Sequence, residues 1–116
     1  MKQPSDRVGT ELLFENEAVR VWIMDLQPGE ESPFHKHLDD YLIVYTTPSK
    51  MELHIPGEAE RTDLFDDGYT AYTNVGDGIM HHIRNVSTEP HRQVIVELRQ
   101  STRQATSGTN GRVRPA

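Results

Sequence analysis

Two histidines separated by a single residue, His35 and His37, lie just ahead of the most β-rich run of the chain. If the backbone there is extended, their imidazoles point to the same face, with Cα atoms roughly 6–7 Å apart, and both rings can converge on one ion. His81 lies on a second strand-like run downstream. Three imidazoles from two strands can hold a divalent metal and leave positions open for a ligand. The spacing therefore predicts a metal centre of His35, His37 and His81.

Strand parity selects His81 rather than the adjacent His82. On an extended strand, His81 and Asn85 share one face, whereas His82 and Arg84 share the other. Because an arginine seldom faces the interior of a small β-domain, we expect Arg84 and His82 to face solvent. That leaves His81 facing inward, provided that no bulge shifts the register.

Two further histidines have simpler explanations. His54 shares the polar face of its strand with Glu52. His91 directly follows Glu89-Pro90, a pair that is typical of a turn. We expect both histidines to be surface residues.

The composition limits what the chain can bind. With 116 residues, of which 34% are hydrophobic, one domain is expected. The absence of cysteine means that any metal is held through nitrogen and oxygen. The net charge of −6 disfavours nucleic acid and anionic membranes as partners. We find no apolar run of membrane-spanning length and no signal peptide, so a cytoplasmic protein is expected.

Strand signals separated by turns recur along the chain, and no segment has helical periodicity. The expected strands are 18–26, 41–47, 50–55, 61–65, 69–73, 79–86 and 93–99, with a further short strand allowed at 10–16. Short strands at this spacing predict an all-β sandwich or barrel. We expect this single domain to comprise residues 1–99, with its core in 11–99, and residues 100–116 to form a flexible polar tail.

The strand at 41–47 is apolar on both faces, which predicts a central strand covered on two sides. Its outward residues would be Leu42 and Val44. We expect the N-terminal strand or a second subunit to cover them.

The two histidine-containing stretches resemble the two motifs of the cupin superfamily. In the first motif, a glycine is followed after five residues by His-x-His, as Gly29 is followed here by His35 and His37. The second motif combines a glycine, a Pro-x-Gly turn, a histidine and an asparagine, and Gly68, residues 74–76, His81 and Asn85 follow that order. The resemblance covers residues 18–99.

The resemblance implies a small single-domain cupin. Its fold would be a jelly-roll β-barrel or sandwich of two antiparallel sheets. The ligands that carry over are His35, His37 and His81, and the resemblance also favours a homodimer.

The chain departs from the family pattern at the acidic ligand. Tyr41 stands where the family has a metal-binding glutamate, and Asp40 comes one residue early. Pro48 replaces a motif glycine, Asn74 replaces the motif proline, and the loop before the second-motif histidine is two residues longer. A fourth ligand stays open: Asp39 and Tyr41 share the parity of the histidine pair, whereas Asp40 could reach the site only through a bulge.

Three neutral imidazoles leave the full positive charge of the metal to attract an anionic or chelating small-molecule ligand. Nitrogen ligands suit zinc, nickel and copper, and some three-histidine cupins use ferrous iron with dioxygen. The first hypothesis is therefore an enzyme, either dioxygenase-like or using the metal to polarise a carbonyl, as an isomerase or lyase does. In it Tyr41 or Asp39 would orient the substrate or move a proton.

Two other hypotheses compete with the enzyme. One is a non-catalytic cupin module that binds a small ligand. The other is a scaffold barrel whose histidines all lie at the surface.

Overall fold

The computed structural model describes residues 4–99, which form nine strands and no helix. Among these residues there is accordingly no helix that could cross a membrane. The predicted tail at 100–116 lies outside the described residues. The strands are β1 (Glu11–Glu15), β2 (Val19–Leu26), β3 (His35–His37), β4 (Tyr41–Tyr45), β5 (Ser49–His54), β6 (Arg61–Phe65), β7 (Thr70–Thr73), β8 (Ile79–Asn85) and β9 (His91–Leu98).

The strands form two sheets in which every pairing is antiparallel. One sheet has the order β1-β2-β9-β4-β7, and the other has the order β3-β8-β5-β6. The predicted all-β cupin-type architecture of two antiparallel sheets is confirmed. As expected, β4 is an interior strand, paired with β9 on one side and with β7 on the other, while β9 holds the middle position of the sheet.

Alternating side chains of both sheets meet in a shared interior. On β2, for example, Trp22, Met24 and Leu26 point inward and are buried. The buried hydrophobic cluster consists of Val8, Trp22, Met24, Leu26, Tyr41, Tyr45, Met51, Val75 and Ile95.

The prediction that His91 is a surface residue is wrong. β9 begins at His91, two residues earlier than expected, and the side chain is 0% exposed. His91 lies opposite Leu26 in the register with β2. Its ring nitrogens contact Ser49 Oγ at 2.7 Å and Gln93 Nε2 at 3.0 Å. The strand thus starts directly after Pro90, and the alternation of side chains along β9 places His91 on the face between the sheets.

Gly29 and Asn85 tie the segments around the histidines together. Gly29 adopts φ +87°, a left-handed turn conformation that suits glycine, and its N–H donates to the Asn85 carbonyl at 2.8 Å. The Asn85 amide donates to the carbonyls of Leu26 and Glu89, each at 2.9 Å. The end of β8 is therefore held against the end of β2, and the segment that leads to β3 starts from this junction.

Candidate metal centre

The pairing of β3 with β8 brings the three predicted histidines together. His35 lies directly opposite His81 in the antiparallel register, and His37 points to the same face as His35. Their ring centroids are 4.7 to 4.9 Å apart, and one nitrogen of each ring lies within 4.8 Å of the other two. The predicted convergence of the three imidazoles is thus present in the structure.

Hydrogen bonds orient the nitrogen lone pairs of this cluster. His35 Nδ1–H donates to the Pro33 carbonyl at 2.8 Å, which leaves Nε2 of His35 as the unprotonated nitrogen. His37 Nε2 and His81 Nε2 are 3.1 Å apart. A backbone acceptor on the outer nitrogen is the arrangement by which proteins fix the tautomer of a metal-binding histidine.

Burial keeps the three rings neutral. It lowers the pKa of His37 to about 2, with His81 and His35 adding to the shift. Burial likewise lowers the pKa of His81 to about 3, and the proximity of His35 and His82 adds to the shift. The pKa of His35 is also lowered by burial, against the opposing effect of its bond to Pro33. A neutral imidazole is the form that can donate a lone pair to a metal.

The donor set fits a divalent transition metal. Two nitrogens bound to one ion at about 2.0–2.1 Å lie about 3.0–3.4 Å apart, and the His37–His81 separation of 3.1 Å falls in that range. His37 Nδ1 is the one buried side-chain nitrogen or oxygen within residues 4–99 that has no hydrogen-bond partner. One buried nitrogen of the cluster therefore has no partner among the protein groups. The three-histidine group could bind a metal.

The candidate fourth ligands occupy three different environments. Tyr41 stacks on His37 with 4.0 Å between ring centroids and an interplanar angle of 18°. Asp40 is used elsewhere, because its carboxylate accepts hydrogen bonds from the Val75 N–H and the Tyr72 hydroxyl. Asp39 lies in the bend between β3 and β4 and is not among the residues that line the cavity. Within the described chain, no carboxylate joins the three-histidine group.

The cluster opens on a cavity of about 390 Å³ between the two sheets. Apolar side chains from both sheets form most of its wall: Val8, Met24, Ile43, Met51, Leu53, Ile55, Phe65, Ala71, Ile79, Ile83 and Ile95. Arg61 and Asp63 also line it, and they form a largely exposed ion pair at 2.9 Å. Sequence reasoning missed this pair, although Arg61 and Asp63 have the i, i+2 parity that places both on one face of β6.

His54 and His82 lie on the opposite, outer face of the four-stranded sheet. Their rings stack with centroids 4.5 Å apart. His82 Nε2 is 3.0 Å from a carboxylate oxygen of Glu31, and His54 Nε2 is 2.7 Å from one of Glu52. The parity argument that turned His82 away from the site is confirmed, whereas His54 and His82 are half-buried by these contacts and not freely exposed.

Comparisons with known proteins agree with this architecture. No protein-family model and no curated protein matches the chain. Among solved structures, the chain is similar to a cupin domain from Bordetella pertussis, with 28% identity, a TM-score of 0.70, and coverage of 85% of this chain and 98% of that one. It is also similar to an RmlC-like cupin with a double-stranded β-helix fold from Methanocaldococcus jannaschii, with 16% identity, a TM-score of 0.65, and coverage of 90% and 92%.

A third similar structure is a double-stranded β-helix protein from Klebsiella pneumoniae, with 18% identity, a TM-score of 0.62, and coverage of 84% and 85%. The fold and the histidine cluster define the class: a double-stranded β-helix with a possible metal site in its interior. The chain has the cupin fold, and its cluster contains three histidines and no glutamate, the arrangement that the sequence resemblance predicted.

Proposed function

We propose that this cupin is a metal-dependent enzyme that acts on a small oxygenated or carboxylated metabolite at His35, His37 and His81. The observation that carries the proposal is the convergence of three neutral imidazoles on an apolar cavity of about 390 Å³. A bound divalent iron, zinc, nickel or copper ion would supply Lewis-acid chemistry or, for iron, the ability to use dioxygen.

The protein would support that chemistry because its three neutral ligands leave the positive charge of a bound cation uncompensated. Neutral ligands do not oppose the positive charge of a bound cation, so an anionic or chelating oxygen group is the ligand that this environment favours. The apolar wall limits competing water around the same group, and a volume of about 390 Å³ suits a small molecule.

Tyr41 is the residue best placed to assist the reaction. Its ring lies against His37 and its side chain lines the cavity. Burial raises the pKa of its hydroxyl, with an opposing effect from Thr73, so the group stays protonated and can donate a hydrogen bond to a ligand oxygen. A catalytic role for Asp39 stays a prediction and requires its loop to bring the carboxylate toward the cavity.

A non-catalytic ligand-binding module is the second candidate. Asp63 is the acidic residue among those that line the cavity, and its carboxylate is paired with Arg61. The cavity wall therefore has no unpaired carboxylate that could act as a general base, which favours binding without catalysis. Turnover of small 2-oxo and hydroxy acids with and without dioxygen distinguishes the two candidates, since a binding module would retain the compounds unchanged.

Metal content tests the site itself. Protein purified without a histidine tag is expected to hold metal. The metal content of His35→Ala and of His81→Ala is expected to be at least about tenfold lower, because two nitrogen ligands bind far more weakly than three. Elemental analysis by mass spectrometry is the measurement.

Two histidines of the same chain provide matched controls for this experiment. His82→Ala and His54→Ala remove imidazoles from the outer face of the same sheet and should retain the metal of the cluster. His54 belongs to a second group that could hold an ion, with Glu52 and Glu60, so His82→Ala is the stricter control. Equal metal content in the cluster variants and these controls would refute the proposed ligands.

We further propose that the protein is a cytoplasmic homodimer. The outer face of the five-stranded sheet carries one apolar row across all five strands, formed by Phe14, Val21, Val96, Leu42 and Tyr72. Phe14 is 54% exposed and Tyr72 is 52% exposed. The N-terminal strand β1 extends the sheet at its edge and does not cover this row. Of the two covers that the sequence analysis considered, a second subunit is therefore the one that we propose.

A further inference from the structure

The cavity has a second polar region, at the end of β4 remote from the histidine cluster. Tyr41 contacts the cluster, whereas Tyr45 lies four residues further along, about 13 Å away at the rise of a β-strand. Gln93 of β9 is the register partner of Tyr45, and both side chains line the cavity. Between these two ends lies the apolar pair of Ile43 and Ile95, which also face each other in the register.

A chain of buried hydrogen bonds fixes which end of the Gln93 amide faces the protein. The Ser49 hydroxyl lies 3.2 Å from the Thr47 carbonyl and 3.1 Å from the Thr47 hydroxyl. We assign its hydrogen to the carbonyl, so that His91 Nδ1–H donates to Ser49 Oγ at 2.7 Å. Burial lowers the pKa of His91 to about 4, so the ring is neutral and its Nε2 is unprotonated. The Gln93 NH₂ group, 3.0 Å from Nε2, is the amide end that can pair with it.

This arrangement turns the Gln93 carbonyl oxygen away from His91. The Gln93 side chain also hydrogen-bonds the Tyr45 hydroxyl in the direction that lowers the pKa of that hydroxyl, so the amide NH₂ group donates there as well. With the NH₂ group shared between His91 and Tyr45, Oε1 is the polar atom that Gln93, a residue of the cavity wall, has left for a ligand. The Tyr45 hydroxyl stays protonated, because burial and the proximity of Tyr69 raise its pKa by more than the bond with Gln93 lowers it.

We propose that Gln93 and Tyr45 form a subsite for a hydroxyl group at the end of the ligand remote from the metal. The inference rests on the function proposed above and specifies its substrate class. A hydroxyl can donate to Gln93 Oε1 and accept from the Tyr45 hydroxyl at the same time. A carboxylate offers no proton to Oε1 and so cannot make the first of these two bonds.

The substrate class that follows is an elongated molecule with three parts. A metal-binding oxygen group lies at the histidine cluster, an aliphatic segment passes Ile43 and Ile95, and a hydroxyl group ends at Gln93. A site built around a buried polar acceptor discriminates strongly against an analogue that lacks the matching donor.

Matched pairs of synthetic chelators test the subsite. The probes are linear hydroxamic acids of four to eight carbons, each with and without a terminal hydroxyl, titrated by calorimetry into zinc-loaded protein. For the chain length that fits, the preference for the hydroxylated probe is expected to fall at least about tenfold in Gln93→Leu, which keeps the size of the side chain but removes the acceptor. Gln27→Leu, at an exposed turn outside the cavity, should keep the wild-type preference.

The possible failures are distinguishable. The same preference in wild type and in Gln93→Leu overturns the subsite while leaving the metal site intact. If no hydroxamate binds to the wild-type protein, the proposed metal function is overturned.

The subsite has a readout that needs no metal. In metal-free protein, hexan-1-ol is expected to shift the Gln93 side-chain amide resonances, and ¹⁵N spectra are expected to show His91 protonated on Nδ1. An unshifted amide or a proton on Nε2 of His91 would overturn the subsite.

Discussion

At the scale of single residues, the buried His91 is expected to make the stability of the fold depend on pH in a way that a surface histidine would not. It is enclosed between the sheets and bonded on both ring nitrogens, so a proton can be added only by breaking one of these bonds. Burial lowers its pKa from 6.5 to about 4. As the pH falls from 6.5 toward 4, the unfolded chain gains this proton while the folded protein does not, and stability is therefore lost over that window.

The His91→Gln variant isolates this contribution. Wild-type protein is expected to lose about 2–3 kcal/mol more stability than His91→Gln between pH 7 and pH 4.5, because a pKa unit corresponds to about 1.4 kcal/mol. The measurement is urea denaturation at the two pH values. Equal losses in the two proteins would show that His91 does not titrate in this window.

Two histidines show where residue-level prediction succeeds and where it fails. His81 could be assigned to the interior because its neighbours Ile83 and Arg84 differ sharply in polarity, which reveals the two faces of β8. On β9 the inward residues include His91, Gln93 and Glu97, whereas the outward ones include valines. The usual relation between hydrophobicity and burial is inverted there, and the sequence alone gave no physical reason to place His91 inside.

At the scale of elements, the junction of β2 and β8 depends on one amide. Asn85 is 0% exposed, and its amide bonds the carbonyls of Leu26 and Glu89, while its oxygen accepts from the Ser87 N–H at 2.9 Å. The junction also positions β8 for pairing with β3, the strand that carries His35 and His37.

Asn85→Ala is expected to destabilise the protein by about 2–4 kcal/mol, because it leaves buried backbone groups without partners. Ser87→Ala is the matched control, because it removes a nearby hydroxyl that contacts Asn85 Oδ1 but leaves the two hydrogen bonds donated by the Asn85 side chain in place. It should lower the free energy of unfolding by less than about 1 kcal/mol. Chemical denaturation measures both. A loss for Asn85→Ala no larger than that of Ser87→Ala would contradict this role.

Most element positions followed from the sequence, but their neighbours in the sheet did not. Residues 61–65 are predicted with the bounds that β6 has, and the other predicted strands differ from their observed bounds by at most a few residues. The short strand β3 had no predicted range. The hydrophobic run of β4 indicated an interior strand, and β4 lies between β9 and β7, but nothing in that run identified these two neighbours. Local composition reports how buried a strand is, whereas the order of strands depends on pairings between distant segments.

At the scale of the whole molecule, the outer apolar row makes a prediction about assembly. Leu42→Glu is expected to convert a dimer into a monomer, because a carboxylate would be buried without a partner within the row, between Val96 and Tyr72. Leu64→Glu is the control, since Leu64 is 79% exposed on β6 of the other sheet. Light scattering after size exclusion gives the masses. A monomeric wild type, or a dimeric Leu42→Glu, would refute this interface.

The overall architecture could be predicted because two short motifs identify the fold and locate the cluster. What the motifs could not supply is the environment around the cluster. The carboxylate of Asp40 is engaged by Val75 and Tyr72, and Tyr41 takes a stacked position beside His37. These outcomes depend on the path of the bend between β3 and β4, which parity along a straight strand does not describe.

The edge of β3 links the histidines to a distant part of the chain. Ser5 forms a parallel bridge with His35, and its backbone exchanges hydrogen bonds of 3.0 and 2.9 Å with Phe34 and Lys36. A segment near the N-terminus thus acts as a strap on the strand that carries two of the three imidazoles. Affinity tags or deletions placed there would disturb the backbone that aligns the three rings, so the proposed metal content should be measured on protein with an unaltered N-terminal segment.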